Sequence, residues 1–153
     1  DMIDYVSRER VSFAPVPAKF EAGTPAIAEV IGLGAAIDYV RTAGIDAICA
    51  WEKALYEYAL ERFADVDGVT MYGMSPHKAG ILSFTLEGCP PADVAMILDQ
   101  MGVAVRTGHH CCMPLMLRYG IEGTIRASIA LYTDKKDIDQ LVEGLHKARD
   151  LLA

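Results

Sequence analysis

The chain has 153 residues, of which 52% are hydrophobic and 23% are charged, and its net charge at neutral pH is −7. A chain of this length forms one domain of ordinary size that buries roughly two-thirds of its unfolded surface. The negative charge argues against nucleic acid or an anionic membrane as a partner, and no apolar run approaches the roughly 20 residues that span a bilayer. The four cysteines form no CxxC pair, so free thiols and a reducing, cytoplasmic location are expected.

Residues 1–20 predict an extended segment rather than a helix. Their apolar residues come in short alternations, and Pro15 and Pro17 exclude a helix across that stretch. An edge strand with a connector, or an arm that another part of the protein orders, would both have this pattern. The chain begins with Asp1 and Met2 rather than with an initiator Met, so we expect a fragment of a longer protein.

Two helices are predicted next. Thr24 suits the N-cap and Pro25 suits the first turn of a helix that Gly44 ends. A second helix with a regular apolar face covers residues 46–63. The backbone amides of Gly23 and Thr24 could also hold an anion such as a phosphate at the helix start, although a simple cap explains the same residues.

The rest of the chain alternates strands and helices. Short strands are predicted at residues 69–72 and 81–86, followed by a helix whose first turn contains proline. Further strands are predicted at residues 103–106 and 124–132, and a last helix begins with Thr133 as its N-cap. This order predicts an α/β fold in which helices cover one face of a small, largely antiparallel sheet.

The loop between the last two predicted strands concentrates the reactive residues. Half of the cysteines and half of the histidines lie at consecutive positions, His109, His110, Cys111 and Cys112. A reactive thiol, a metal site and simple packing all remain open. Metal is the least favoured, because adjacent side chains diverge and local zinc ligands usually stand about two to four residues apart. The thiolate is the nucleophilic form of cysteine, and Arg106 with the two histidines would stabilise it if they point at it.

Arg126 is an unusual residue for an otherwise apolar strand. It shares one strand face with Ser128, whereas Ile125 and Ala127 share the other. An unpaired buried charge is too costly to retain, so Arg126 must reach an anion or solvent. The partner is either an acid of the protein or a substrate carboxylate, whose geometry a guanidinium group matches.

Several motifs together resemble one enzyme family. Residues 106–116 have the sequence RTGHHCCMPLM and residues 126–128 have the sequence RAS; upstream, FEAGTP spans residues 20–25 and IGLGAA spans residues 31–36. In this order and at this spacing, the motifs resemble the C-terminal part of a SufS-type (group II) cysteine desulfurase. Such enzymes use pyridoxal phosphate, belong to the class V aminotransferase family and include selenocysteine lyases. The resemblance implies the small C-terminal domain of a fold-type I pyridoxal-phosphate enzyme.

The resemblance also implies an incomplete enzyme. Residues 1–25 would be a connector or arm from a missing large domain, and residues 26–153 would be the small domain with a dimer-facing helix. Gly23 and Thr24 match positions that bind the phosphate of pyridoxal 5′-phosphate across a homodimer. The family's cofactor lysine lies in the large domain, since the Ser-Pro-His-Lys sequence at residues 75–78 occupies a different place in the chain. We therefore expect the isolated chain to lack desulfurase activity.

The same resemblance implies roles for particular residues. Cys111 matches the cysteine that attacks the sulfur of free L-cysteine, or the selenium of L-selenocysteine, so that alanine leaves and a persulfide or its selenium counterpart remains. Arg126 matches the arginine that holds the substrate carboxylate; Arg106 is assigned to substrate binding beside it and His110 to a supporting role. Cys112 matches a position that the chemistry does not need. The persulfide would pass to a sulfur-acceptor protein for iron–sulfur cluster assembly.

Two other functions remain open from the residues alone. The His-His-Cys-Cys loop could belong to a metal-binding module, which would purify with stoichiometric metal. The domain could instead be a sulfur carrier that accepts a persulfide on Cys111 without making one. The separated motifs agree with one another in order and spacing, and this agreement favours the enzyme, with no metal, over both alternatives.

Overall fold

The computed structural model describes residues 2–153, and the chain divides into two units between Gly44 and Ile45. In the described part, the first unit contains an antiparallel pair of strands, a short 3-10 helix and one α-helix: β1 (Ile3–Val6), β2 (Val11–Phe13), Ala18–Phe20 and α1 (Ile27–Ala43). The two strands form a hairpin where the sequence predicts a single edge strand. The hairpin closes because Ser7 N donates to Arg10 O at 2.8 Å, between the two alternating stretches.

Helix α1 begins later than the sequence predicts. Its N-cap is Ala26, which supplies no side-chain hydrogen bond, and Ile27 N donates to Pro25 O at 2.8 Å in a tight turn before the helix. The prediction of Thr24 as the cap is therefore wrong, because this turn shifts the helix start beyond Thr24. Gly44 ends the helix as predicted, with a positive φ of 88° that favours glycine. None of the residues of α1 is buried.

The second unit alternates helices with the strands of one sheet. In chain order its elements are α2 (Ile45–Phe63), β3 (Val69–Tyr72), β4 (Ile81–Leu86), α3 (Pro91–Gln100), β5 (Arg106–Gly108), α4 (Met113–Tyr119), β6 (Thr124–Ser128) and α5 (Lys135–Leu152). The strand order is β3-β4-β6-β5, and every neighbouring pair is antiparallel. The predicted α/β fold with a small antiparallel sheet covered by helices is confirmed. No helix in residues 2–153 is long and apolar enough to cross a membrane.

One face of this sheet forms the hydrophobic core with α2, α3 and α5. Strand β4 turns Leu82 and Phe84 to this face, and their partners on β6, Ala127 and Ile125, point the same way because opposed residues share a face. Phe63 of α2 meets Phe84 edge to face, with ring centroids 5.0 Å apart. Each fully buried large side chain contributes about 1.5–3 kcal/mol to folding, so this face holds the sheet rigidly.

Strand β5 begins three residues later than predicted, at Arg106 instead of residue 103, and β6 ends four residues earlier, at Ser128 instead of residue 132. Val103 N donates to Leu98 O at 2.9 Å and so completes the end of α3, which leaves sheet pairing to begin only at Arg106. Strand β6 ends at Ser128 because the following residues turn: Ala130 N donates to the Thr133 hydroxyl at 3.0 Å.

The start of α5 also differs from the prediction. Thr133 uses its hydroxyl in the preceding turn, and the N-cap is Asp134 instead. The Asp134 carboxylate accepts from Lys136 N and Asp137 N, while the Asp137 carboxylate accepts from Asp134 N at 2.8 Å. This reciprocal pair is a capping box, which satisfies the free backbone N–H groups of the first turn.

Helix α4 lies inside the segment that the sequence predicts to be a loop. It is seven residues long, has Pro114 in its first turn and ends at Gly120, which has a left-handed φ of 68°. Both residues are ordinary helix-boundary signals, so the sequence did contain the evidence for this element. Its position matters because it follows Cys112 directly and forms one wall of the site described next.

Candidate active site

A row of side chains crosses the sheet on the face opposite the core. Tyr72 on β3 opposes Ser83 on β4, Ser83 opposes Arg126 on β6, and Arg126 opposes Arg106 on β5. Opposed residues in an antiparallel sheet share a face, so all four side chains leave the sheet on the same side. Like charges directly opposite each other are destabilising, and the two arginines therefore create a local demand for an anion.

Arg126 lacks the internal partner that one of the sequence hypotheses required. The residue is half-buried, its Nε atom is buried without a hydrogen-bond partner, and no ion pair within residues 2–153 involves it. A pairing with an acid of the protein is therefore not observed in that range. Leaving a buried donor unsatisfied is costly, which makes an anionic ligand the physically reasonable partner.

A cavity of about 280 Å³ opens beside Arg126. The sheet contributes Arg126, Ser83 and Tyr72 to its lining, and α4 supplies a largely apolar wall that includes Tyr119. The rings of Tyr72 and Tyr119 lie 5.1 Å apart between centroids, so α4 packs directly onto the polar face of the sheet. The cavity thus combines one cationic group with apolar walls, a common composition for a small-molecule site.

The loop that precedes α4 has an unusual backbone. His110 and Cys111 have φ values of 52° and 59°, in the left-handed region that residues with a Cβ rarely adopt. This conformation costs about 1–2 kcal/mol per residue, so surrounding contacts must hold it. His110 Nε2 lies 3.0 Å from the Thr124 hydroxyl and 3.2 Å from its carbonyl oxygen, while Cys111 N donates to His109 Nδ1 at 3.0 Å.

The two neighbouring thiols occupy different surroundings. Cys111 is exposed, and Arg106 Nη2 approaches its Sγ to 3.9 Å. Cys112 lines the Arg126 cavity, whereas Cys111 is not among the lining residues. The cationic neighbour expected for Cys111 is therefore present in Arg106, but neither His109 nor His110 donates a hydrogen bond to its sulfur in the described contacts.

His110 is held in a neutral state by its surroundings. Burial lowers the pKa of its imidazole, the nearby guanidinium groups of Arg126 and Arg106 lower it further, and the backbone hydrogen bond to Thr124 opposes them. A carbonyl oxygen can only accept, so the ring proton belongs on Nε2, where it serves the Thr124 carbonyl. This tautomer leaves Nδ1 as a buried acceptor without a partner.

The residues predicted to bind the cofactor phosphate lie in the first unit. Gly23 has a φ of 78°, and a Cβ added there would meet no atom within 4 Å. The Thr24 side chain is exposed and does not cap α1. The pair is therefore exposed and has open space around Gly23, so its role in phosphate binding stays a prediction.

Neither a cofactor lysine nor a metal cluster accompanies the cavity. Within residues 2–153, no lysine lines it, and Lys78 instead has its Nζ 5.0 Å from the ring centroid of Tyr56 in a separate groove. In the same range there is no group of three or more His, Cys, Asp or Glu side chains that could hold a metal ion. The cavity therefore offers a guanidinium group that fits a carboxylate, and its lining supplies no lysine that could anchor a cofactor covalently.

Sequence reasoning missed three contributors to this site. Ser83 and Tyr72 enter the cavity because strand register aligns them with Arg126, and Thr124 is the buried partner of His110. The alternation of Ser83 and Thr85 with apolar residues on β4 was the available signal for Ser83. No local pattern identifies Thr124, because its partner His110 lies 14 residues earlier in the chain, on the other side of α4.

Comparison with known proteins agrees with this geometry. The sequence profile described as Aminotransferase class-V matches residues 1–141. A probable cysteine desulfurase of Streptomyces coelicolor is 47% identical over 152 residues, which are 98% of this chain and 36% of the relative. A cysteine desulfurase of Dickeya dadantii is 50% identical over 141 residues, which are 92% of this chain and 34% of the relative.

A solved structure gives the same result for the fold. The cysteine desulfurase CsdA of Escherichia coli matches with a TM-score of 0.87 and 34% identity, over 99% of this chain and 38% of that chain. This chain therefore spans little more than a third of the length of the relatives it matches. The resemblance predicted from the sequence motifs is confirmed. The chain belongs to the aminotransferase class-V family and is similar to cysteine desulfurases.

Proposed function

We propose that this chain provides the substrate-holding and sulfur-accepting part of a pyridoxal-phosphate-dependent cysteine desulfurase. The observation that carries the proposal is Arg126, whose buried Nε lacks a partner in a cavity beside an exposed thiol loop. The substrate would be L-cysteine or L-selenocysteine, and the products would be alanine and a persulfide, or its selenium counterpart, on Cys111. Similarity to cysteine desulfurases along almost the whole chain supports this choice.

Arg126 is the group that holds the substrate carboxylate in this proposal. A guanidinium binds a carboxylate through two parallel hydrogen bonds, which fixes both the distance and the orientation of the amino acid. Arg106 stands opposite Arg126 on the next strand and adds a second positive charge to the same face. A bound carboxylate would relieve both the repulsion between the arginines and the unsatisfied Nε donor.

The cofactor would be held partly by the first unit. Gly23 and Thr24 are suited to the phosphate of pyridoxal 5′-phosphate, in a homodimer where the pair serves the partner's site. When bound, the cofactor supplies an electron sink for the bonds around the substrate α-carbon. The lysine that anchors it is expected elsewhere in the longer protein, and we therefore propose that the isolated chain does not release alanine.

Cys111 is the proposed nucleophile. Its thiolate attacks the substrate sulfur, the carbon–sulfur bond breaks, and the sulfur remains as a persulfide on the enzyme while alanine leaves. The thiol is exposed, which suits transfer of the sulfur by thiol exchange to an acceptor protein during iron–sulfur cluster assembly. Arg106 lies at 3.9 Å from Sγ and favours the anionic form required for the attack. We place this reaction in the cytoplasm.

The test compares the chain alone with the chain grafted onto the rest of the Streptomyces coelicolor relative in place of its matching segment. With pyridoxal phosphate and L-cysteine, we expect alanine from the graft and none from the chain alone. Cys111→Ser should abolish alanine release by the graft under multiple turnover, and Cys112→Ser is its matched control with activity retained. A graft that folds and binds pyridoxal phosphate but is inactive, while Cys111 takes sulfur from a persulfide donor, would favour the carrier function instead.

A further inference from the structure

The side chain of His110 ties the cysteine loop to the sheet. Strand β5 ends at Gly108, whose register partner on β6 is Thr124, and His110 then returns its ring to that same Thr124. Thr124 is only 2% exposed, so this contact is formed away from water. The loop thus leaves the sheet at the Gly108–Thr124 pair, and the side chain of His110, two residues later, contacts Thr124 again.

Close packing at the base of the loop makes this fastening point rigid. A Cβ added to Gly123 would lie 2.7 Å from the backbone carbon of Gly108, so the two backbones are already in contact. The backbones of Gly108 and Gly123 have no room to move. The contact between the His110 ring and Thr124 therefore fixes the backbone conformation of His110 and Cys111. The consecutive left-handed φ values of these two residues are the consequence.

We propose that His110 is a positioning residue for the acceptor thiol. Through its Nε2 hydrogen bond to Thr124, it holds the left-handed backbone that brings Cys111 Sγ against Arg106 and turns Cys112 toward the Arg126 cavity. Within residues 2–153, the hydrogen bonds of the His110 side chain go to Thr124 and not to either sulfur. The inference rests on the proposed function of Cys111, but its test measures thiol labelling and not desulfuration.

The cysteines of this chain serve as built-in reporters for the test. Cys49 is exposed on α2, Cys89 is 6% exposed in the core, and Cys111 and Cys112 report on the loop itself. In chains that keep Arg106, trypsin places Cys49 and Cys89 on peptides separate from residues 107–118, and fragment ions distinguish the two cysteines of that peptide. In Arg106→Gln the peptide covers residues 79–118, and fragment ions also distinguish Cys89 from the two loop cysteines. Labelling of Cys89 reports unfolding, so a change at Cys111 with Cys89 protected reports the loop alone.

The experiment compares iodoacetate, which is anionic, with iodoacetamide, which is neutral, on the native 153-residue chain at low salt. The ratio of the two labelling rates at Cys111, relative to the same ratio at Cys49, measures the nearby positive charge of Arg106. In His110→Ala we expect this ratio to fall about fivefold, the effect of one unit charge at about 4 Å in water. Arg106→Gln should cause the same fall, and the double variant should show no further fall because both changes break one arrangement.

Two variants separate positioning from a general loss of structure. His110→Gln retains an N–H donor at similar reach and should restore most of the ratio, whereas His146→Ala removes an exposed histidine of α5 and should leave it unchanged. A wild-type ratio in His110→Ala with Cys89 still protected would overturn the proposal. If Cys89 becomes reactive in that variant, His110→Phe decides instead, because it keeps a ring of similar shape without the N–H donor to Thr124, and an unchanged ratio there also overturns the proposal.

Discussion

The two faces of the four-stranded sheet are built from the same strands but differ in burial and in how well their polar groups are paired. On one face, Leu82, Phe84 and Ile125 are fully buried against helices. On the other, Arg126 and His110 each keep a buried nitrogen without a partner, beside an open cavity. The difference shows how one face can supply stability so that the other can retain unsatisfied groups for a ligand.

The largest expected effect is a core truncation. Phe84→Ala should lower the free energy of unfolding by about 3–5 kcal/mol, because it leaves a cavity beneath Phe63 that the rigid core cannot fill. Ser83→Ala, one residue away on the other face, should change it by less than about 0.5 kcal/mol. Urea unfolding with an unchanged m-value would measure both, and similar losses for the two variants would contradict the division between the faces.

A glycine at the base of the cysteine loop should be the next most sensitive position. Gly123→Ala should cost about 1–3 kcal/mol, because its Cβ would overlap backbone atoms of Gly108 that have no rotamer to escape into. Gly34→Ala in α1 is the control: nothing lies within 4 Å, and a helix interior favours alanine by about 1 kcal/mol. Thermal unfolding of both variants checks the opposite signs, and a neutral Gly123→Ala would disprove the close backbone contact.

At Arg126 we expect a substitution in the site to increase the free energy of unfolding instead of lowering it. Arg126→Met should raise the free energy of unfolding by about 1 kcal/mol, because it removes an unsatisfied buried donor and the repulsion with Arg106. Arg126→Lys, which keeps the charge, is the control and should give no such gain. Denaturant unfolding without ligand distinguishes them. A clear loss of stability in Arg126→Met would mean that the protein itself already satisfies this arginine.

The smallest expected effect is a pH dependence that originates at His110. Its pKa in the folded chain is lowered from the ordinary value of 6.5, mainly by burial, so the unfolded chain binds the proton more readily. Stability from this group is therefore complete above pH 6.5 and decreases as the pH falls from there toward the lowered pKa. His110→Gln should remove this part of the dependence and His146→Gln should not, as measured by urea unfolding across that range; equal slopes for wild type and His110→Gln would refute it.

The parts of the fold that follow from local pattern were predictable. Strands β3 and β4 were predicted at the residues where they occur, because each is bounded by turn residues and alternates or is continuously apolar. Helix α4 was missed, since seven residues are too few to be stable alone and the helix depends on packing against Tyr72. Pro114 and Gly120 are ordinary signals for the start and the end of a helix, but they do not by themselves predict one of only seven residues.

The geometry of the site depends on contacts that no local pattern encodes. Arg106 and Arg126 were both singled out from the sequence, but their direct opposition follows from the register of β5 on β6. The left-handed backbone of Cys111 depends on a ring–strand contact with Thr124. Residue identity therefore predicted the chemistry, while the sheet register determines which groups meet.

The most direct test of the proposed function is the mass of the tryptic peptide 107–118 from the grafted enzyme after brief exposure to L-cysteine. We expect one additional sulfur atom on Cys111, lost on reduction and absent from the Arg126→Met variant at the same L-cysteine concentration. Sulfur on Cys112 with Cys111 unmodified would contradict the assignment of the acceptor. An unmodified peptide from a graft that releases alanine would contradict the proposal that this loop accepts the sulfur.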